Sequence, residues 1–201
     1  MSADVPSTAG YAEEAAVLAQ RYESITFEHV HRQVIALYPQ APSDLLDIGA
    51  GTGRDAAALA RLGHRVVAVE PTAELREAGQ RLHAGLPIDW LDDHLPQLPL
   101  LRQRAQRFDL LLLTAVWMHL DAAEREAGMA VLDALLADTG QIVMSLRHGP
   151  VPEGRRMFDV SAAETIALAA RFDLTCHHRH ERGDTLDRND VSWSVVALRR
   201  S

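Results

Sequence analysis

The chain has 201 residues, and all 20 of its cationic side chains are arginine because lysine does not occur. Without a lysine amine, Schiff-base chemistry on a lysine, pyridoxal-phosphate anchoring and P-loop nucleotide binding are excluded. Against 28 acidic residues the net charge is −8, so nucleic acid is not expected as a partner. The length predicts one domain with a single core, spanning residues 1–201.

The composition also bears on the cellular compartment. The single cysteine, Cys176, excludes an intramolecular disulfide and a thiolate-rich metal site. No basic-then-apolar leader opens the chain, and the longest strongly apolar stretch, residues 110–118, is about half as long as a membrane span. We therefore expect a cytoplasmic protein, monomeric or homodimeric, with no membrane contact.

Residues 1–43 are predicted to form a helical cover. Apolar residues at helical spacing predict two helices between residues 9 and 38, and Pro39 and Pro42 end them.

From residue 44 to 201 the pattern alternates between apolar strands and amphipathic helices. Strands are predicted at 45–48, 65–70, 88–91, 108–115 and 141–146, and helices at 54–62, 72–83, 121–137 and 161–171. Two last strands, 174–179 and 192–198, are expected to form an antiparallel hairpin around a polar turn at 183–190. The alternation predicts an α/β fold with a Rossmann-like, doubly wound, mostly parallel seven-stranded sheet and an antiparallel C-terminal strand.

A glycine-rich loop follows the first strand, where residues 47–54 read Asp-Ile-Gly-Ala-Gly-Thr-Gly-Arg. Such a loop lets a ligand approach the backbone beside a helix N-terminus. A dinucleotide fingerprint needs a glycine where Arg54 stands, and Asp47 would repel a pyrophosphate but suits an ammonium group. Glu70, at the end of the second strand, can accept both hydroxyls of a ribose. The loop indicates a ribose joined to a cationic amino-acid end, with a ligand-free tight turn as the alternative.

The segments LLDIGAGTGRDA and VVAVEP resemble the first two motifs of class I S-adenosylmethionine-dependent methyltransferases. The resemblance runs from about residue 44 to the C-terminus. It implies S-adenosyl-L-methionine as the cofactor and a reversed seventh strand beside the fifth. It also implies that the glycine loop, acids after the second and third strands, and backbone after the fourth strand hold the cofactor. These residues are Asp47, Gly49, Ala50, Gly51, Gly53, Glu70, Pro71, Asp92, the neighbouring Asp93, Thr114 and Ala115.

Methyltransferases differ by acceptor in the segment after the fourth strand, here residues 116–120. The segment lacks the Asp/Asn-Pro-Pro-Tyr/Phe motif of many amino-methylating enzymes and the cysteine of pyrimidine C5 enzymes, and a lysine-containing tetrad is impossible. These absences favour transfer to an oxygen or nitrogen of a small-molecule acceptor, while RNA and protein acceptors stay open.

His119 is the candidate catalytic residue, because an imidazole titrates near neutral pH and can act as a base or orient the acceptor. Its alternative role is to cap the next helix. Trp117 is either a pocket wall or a core residue. Arginines that follow the fifth strand suit a carboxylate or phosphate on an anionic acceptor. The candidate acceptor-binding residues are Arg54, Trp117, Arg147, Arg155, Arg156 and, on the cover, Tyr22 and His29.

Two further functions remain open, an NAD-dependent oxidoreductase and a non-catalytic S-adenosylmethionine-binding regulatory protein. Strand alternation would place Cys176, His178 and His180 on one face, which is a possible ligand set. No acidic partner follows from the spacing, so no metal is predicted.

Overall fold

The computed structural model describes residues 5–184 and 188–201; residues 185–187, in the predicted hairpin turn, and residues 1–4 lie outside the description. Seven strands form one sheet: β1 (Asp44–Ile48), β2 (Arg65–Val69), β3 (Ile88–Leu91), β4 (Phe108–Thr114), β5 (Leu136–His148), β6 (Leu174–Gly183) and β7 (Ser192–Arg200). Their order is β3-β2-β1-β4-β5-β7-β6. Neighbouring strands from β3 through β5 are parallel, and β7 is antiparallel to both β5 and β6. The predicted Rossmann-like fold with a reversed C-terminal strand is confirmed.

The helices are α1 (Ala15–Glu23), α2 (Phe27–His31), α3 (Arg54–Arg61), α4 (Ala73–Leu82), α5 (Pro99–Arg102), α6 (Ala122–Leu135) and α7 (Ala162–Ala170). The bounds of α3, α4, α6 and α7 agree with the prediction within two residues. Both α6 and α7 begin with a capping box, in which an N-cap side chain and a glutamate three residues later exchange hydrogen bonds. No described helix has the combined length and apolar character that a membrane span requires.

The N-terminal cover is more broken than predicted. In place of two helices across residues 9–38, it has α1, the short α2, and 3₁₀ turns at Pro6–Thr8 and Ile35–Leu37. Thr26 caps α2 by accepting the backbone N–H of His29. Leu18 of α1 packs against Leu75 of α4, whereas Phe27 of α2 packs in an apolar cluster with Leu45 of β1.

The sheet is buried on both faces, and β4 shows why. Leu111 and Leu113 pack in one apolar cluster, whereas Leu110 and Leu112 pack in the cluster on the other side. Successive side chains of a strand point to opposite faces, so a continuous apolar run fits a central parallel strand. The strand order reverses between β1 and β4, and open α/β sheets bind ligands in the crevice at such a point.

The predicted one-face set Cys176, His178 and His180 is wrong, because β6 contains a bulge. Cys176 lies opposite Leu198, and His178 lies opposite the adjacent Ala197. The register shift therefore turns the cysteine and His178 to opposite faces. Within the two described ranges, no group of three or more His, Cys, Asp or Glu side chains is arranged to hold a metal.

Candidate active site

A cavity of about 320 Å³ opens at the carboxyl ends of β1, β2 and β4, beneath the cover. Its walls come from the glycine loop, the ends of these strands, the cover, and the loop after β5. Most of the predicted site residues line it: Asp47, Gly49, Ala50, Gly51, Arg54, Glu70, Pro71, Asp93, Thr114, Ala115, His119, Arg147, Arg155 and Tyr22.

The glycine loop is tied to the second strand and shaped for a close approach. The backbone N–H groups of Gly49 and Ala50 donate to the Val69 carbonyl at 2.8 and 3.0 Å. Gly49 and Gly51 have φ values of 69° and 58°, the left-handed region in which glycine is favoured. A Cβ at Gly49 would lie 2.5 Å from a methyl carbon of Val116, so a side chain does not fit there.

Asp47 supplies an unpartnered carboxylate oxygen to the cavity. Asp47 is buried, and its carboxyl group accepts a hydrogen bond from the backbone N–H of Ala56. Its Oδ2 atom has no hydrogen-bond partner among the described residues. Burial raises the pKa of Asp47 well above its usual range, and the nearby Asp55 carboxylate raises it further. A cation brought to Oδ2 would relieve both effects.

Glu70 holds the loop and keeps acceptor capacity. Its two carboxylate oxygens accept the backbone N–H groups of Gly51 at 2.8 Å and Thr72 at 2.7 Å. A carboxylate has about four lone-pair positions, so hydroxyl groups in the cavity can still donate to it. Burial raises the pKa of Glu70, although the two N–H groups act in the opposite direction.

A buried network under the cavity centres on Asp55, which the sequence analysis did not select. Asp55 accepts from Arg54 at 2.6 Å and from Thr114 at 3.0 Å, and lies 2.9 Å from Nε2 of His31. The Tyr38 hydroxyl bonds the other nitrogen of His31 at 2.8 Å. Burial opposes ionisation of Asp55, yet its contacts with His31 and Arg54 hold its pKa below the usual range. The network joins the cover to the loop and the end of β4.

His119 is buried at the far end of the cavity with both ring nitrogens engaged. Nδ1 lies 2.8 Å from the carbonyl oxygen of Arg156, and Nε2 lies 3.0 Å from the Tyr11 hydroxyl. A carbonyl oxygen can only accept, so Nδ1 carries the proton and Nε2 accepts from Tyr11. Burial lowers the pKa of His119, and the charges of Arg155, Arg156 and Arg147 lower it further. The imidazole is therefore neutral and basic at Nε2.

Arg155 fastens the cover to the loop after β5. Its guanidinium donates to Glu14 at 2.6 Å and lies 4.1 Å from the centre of the Tyr11 ring. Its side chain is 6% exposed, whereas that of Glu14 is 57% exposed. The arginine predicted to bind an acceptor is thus committed to the cover.

The structure places five of the predicted residues outside the cavity. Trp117 is fully buried in the main core, and Arg156 is paired with Asp121 and Glu124. His29 is on the exposed side of α2. The geometry does not support acceptor contacts for these three residues.

The other two were expected to contact the cofactor. Gly53 packs against the ring of Trp90, which lies 2.5 Å from where its Cβ would be. Asp92 forms an ion pair with Arg76 at the surface. Asp93 does line the cavity, although its carboxylate accepts the backbone N–H groups of His94 and Leu101.

Comparison with known proteins agrees with this layout. Residues 45–140 match a protein-family model that is described as a methyltransferase domain. The match covers slightly less than half of the chain, and it agrees with the resemblance to class I S-adenosylmethionine-dependent methyltransferases that the glycine loop shows. A protein of Alkaliphilus oremlandii described as an uncharacterized methyltransferase is 30% identical over 101 residues, which are 50% of this chain and 44% of that protein. The chain spans about half the length of two curated relatives that it matches.

Solved structures of methyltransferases share the fold over nearly the whole chain. A TehB-like S-adenosylmethionine-dependent methyltransferase of Corynebacterium glutamicum is 19% identical, with a TM-score of 0.70 over 94% of this chain and 99% of that one. The N-methyltransferase NodS of Bradyrhizobium japonicum, in complex with S-adenosyl-L-homocysteine, is 18% identical, with a TM-score of 0.71 over 96% and 98%.

The NodS structure holds S-adenosyl-L-homocysteine, and the cavity residues of this chain fit S-adenosylmethionine. The unpartnered oxygen of Asp47 suits its ammonium group, and Glu70 suits its ribose hydroxyls. The open face of the glycine loop at Gly51 is covered by the ring of Tyr22, 3.4 Å from where a Cβ would be. The cover therefore closes the cofactor side of the cavity.

Besides Asp55, the cavity residues that were not selected from the sequence include Tyr11, Arg182, Arg188 and Trp193. Tyr11 belongs to no recognisable sequence motif, so its contact with His119 becomes visible only in the folded structure. Arg182 and Trp193 lie directly opposite each other in the predicted hairpin. Arg182 lies beyond the predicted strand 174–179, so the sequence analysis did not pair it with Trp193.

Proposed function

We propose that the protein transfers a methyl group from S-adenosylmethionine to an oxygen or nitrogen of a small, anionic metabolite. The observation that carries this proposal is the hydrogen-bonded pair of His119 and Tyr11 in the same cavity as the unpartnered Asp47 carboxylate. One wall can hold the cofactor, and the opposite wall can take a proton. The name of NodS as an N-methyltransferase supports a nitrogen acceptor.

The cofactor supplies the electrophilic methyl group, so the protein has to position a nucleophile and accept its proton. Asp47 and Glu70 fix the cofactor, and the cover excludes water from above. The Tyr11 hydroxyl donates to Nε2 of His119, which leaves the lone pairs of its oxygen for a proton of the acceptor. As the nucleophile forms its new bond, its proton passes to Tyr11 while the Tyr11 proton passes to His119. Arg156 holds the imidazole in the required tautomer through its carbonyl.

This assignment refines the role predicted for His119. Nε2 is occupied by Tyr11, so the acceptor reaches the base through the tyrosine. Burial raises the pKa of Tyr11 well above 10.0, so the phenol relays a proton without existing as a free tyrosinate.

The first test compares thermal stabilisation by S-adenosylhomocysteine and by NADH. A ligand at about a hundred times its dissociation constant contributes about 2.7 kcal/mol, which raises the midpoint by several degrees at about 2 to 4 °C per kcal/mol. We expect a shift with S-adenosylhomocysteine alone. A shift with NADH alone would favour the oxidoreductase alternative and overturn the proposal.

The second test separates an enzyme from a regulatory binding protein. Acceptor candidates are screened for S-adenosylhomocysteine release, and His119→Ala is compared with the parent protein. We expect turnover to fall at unchanged cofactor affinity. Equal turnover in the variant would refute the base assignment. The single domain over residues 1–201, the cytoplasmic location and the monomeric or homodimeric state remain predictions.

A further inference from the structure

Two arginines flank a tryptophan on the cavity side of the C-terminal strands. In the sheet, Trp193 of β7 lies opposite Arg147 of β5 on one side and opposite Arg182 of β6 on the other. Residues directly opposite in an antiparallel pair share a face, with Cβ atoms about 4.5–5.5 Å apart. All three side chains line the cavity. The guanidinium of Arg182 lies 5.3 Å from the centre of the Trp193 ring.

These two guanidinium groups lack a carboxylate partner in the part of the chain that the structure describes. Arg147 donates to the carbonyl oxygens of Gly149 and Pro150, and Arg182 donates to the carbonyl of Gly183. The Nε atom of Arg182 is buried without a hydrogen-bond acceptor. Both side chains thus keep N–H donors for a further ligand.

The surroundings add positive charge to this wall. Arg188 also lines the cavity, held by a two-point contact with Asp184 at 2.8 and 2.9 Å. Burial lowers the pKa of Arg147, and the charge of Arg188 lowers it further. Asp184 acts in the opposite direction on Arg147 and Arg182, but it is bonded to Arg188 and to the indole N–H of Trp193. A bound anion would offset the remaining positive charge.

We propose that Arg147 and Arg182, on either side of Trp193, form the subsite that binds the carboxylate or phosphate of the methyl acceptor. The proposal rests on the proposed function and names the recognition element of its acceptor site. Arg147 lines the same cavity as His119 and Tyr11, so an acid held by Arg147 leaves the rest of the acceptor in the cavity with the proton-accepting pair. Arginine forms two parallel hydrogen bonds with either oxyanion, which suits this recognition.

The test uses the full chain saturated with S-adenosylhomocysteine, so that the cofactor site is filled. Benzoate and inorganic phosphate are titrated separately in thermal-shift and calorimetric measurements, with benzamide as the uncharged match for benzoate. We expect benzoate, phosphate or both to bind at millimolar concentration, and benzamide to bind at least tenfold more weakly. Benzoate binding alone indicates a carboxylate acceptor, and phosphate binding alone indicates a phosphorylated one.

Variants locate the binding. Arg147→Gln and Arg182→Gln should each weaken anion binding at least tenfold without changing the affinity for S-adenosylhomocysteine. Arg182→Lys, which keeps the charge, should restore part of it. Arg179→Gln is the matched control, because Arg179 is an exposed arginine of the same strand paired with Glu181.

The subsite is overturned if neither anion binds, if benzamide binds as well as benzoate, or if anion binding survives in the double Gln variant. Loss of anion binding in Arg179→Gln would place it elsewhere and also overturn the subsite. Failure of the proposed function is recognised separately, because the parent protein would then not bind S-adenosylhomocysteine at all.

Discussion

The hydroxyl of Tyr11 lies 3.0 Å from Nε2 of His119, and their rings meet edge to face at an interplanar angle of 78°. Tyr11 belongs to the cover, whereas His119 lies in the 3₁₀ turn Trp117–His119 that follows β4. The protonation of the imidazole is therefore linked to the position of the cover. The proton path is therefore complete only where the cover contacts the segment after β4.

Tyr11→Phe should remove the proton path while keeping the cavity closed. We expect turnover to fall about a hundredfold, the lower range for general acid–base catalysis, with the dissociation constant of S-adenosylhomocysteine unchanged. Single-turnover methyl transfer and calorimetry measure the two quantities. The double variant with His119→Ala should be no slower than the slower single variant, since residues that act as a unit are non-additive. Additive losses would contradict the relay.

The pH dependence of turnover follows from the lowered pKa of His119. The neutral imidazole accepts the proton, so activity should be lost as pH falls through the pKa of His119, below its ordinary value of 6.5. Turnover should thus stay constant from pH 8 to below the ordinary histidine range. A pH–rate profile of the parent protein measures the midpoint of this loss of activity at low pH. A midpoint above 6.5 would contradict the assignment.

Asp47→Asn should raise the stability of the ligand-free protein and lower its affinity for the cofactor. The change removes a buried carboxylate whose Oδ2 has no partner among the described residues, so the ligand-free protein should unfold at a higher temperature. It also removes a charge-assisted hydrogen bond to the ammonium group, worth about 1.5–3 kcal/mol, so affinity for S-adenosylhomocysteine should fall about 10- to 150-fold. Thermal unfolding measures the stability of the ligand-free protein, and calorimetry measures its affinity for S-adenosylhomocysteine. Unchanged affinity would show that Asp47 does not face the cofactor.

The fold was predictable because its signals are local. The apolar run of β4 and the capping boxes at Asp121 and Ser161 mark a buried strand and two helix starts without help from distant residues. The start of β5 at Leu136 was missed because α6 ends only one residue earlier, with no turn signal between them.

The site was predictable only where one segment supplies both the motif and the geometry. Asp47 and Glu70 lie at strand ends, where parallel strands bring side chains to one edge. Arg155 and Arg156 are adjacent in sequence, yet one binds the cover and the other binds the start of α6. Contacts of this kind depend on chain segments that only the fold brings together.

Glu14→Gln should loosen the cover with little effect on global stability. Exposed ion pairs contribute about 0–1 kcal/mol, and Glu14 is 57% exposed. The pair nevertheless holds Arg155 over Tyr11, so S-adenosylhomocysteine should dissociate several-fold faster at nearly unchanged midpoint. Stopped-flow displacement measures the rate. Glu13→Gln, at an exposed neighbouring position, is the control and should behave as the parent. Equal rates of S-adenosylhomocysteine dissociation in both variants would show that the ion pair of Glu14 with Arg155 does not hold the cover in place.

Gly49→Ala should destabilise the protein through the loop itself. A non-glycine residue at positive φ costs about 1–2 kcal/mol, and the added Cβ would lie 2.5 Å from Val116, which must shift. At about 2 to 4 °C per kcal/mol, the positive φ alone should lower the midpoint by about 2 to 8 °C. The shift of Val116 should add to this fall, and cofactor binding should weaken as well. Gly85→Ala is the control, because no atom lies within 4 Å of its Cβ position. If Gly49→Ala unfolds at the same temperature as Gly85→Ala, the loop adopts a different conformation in solution.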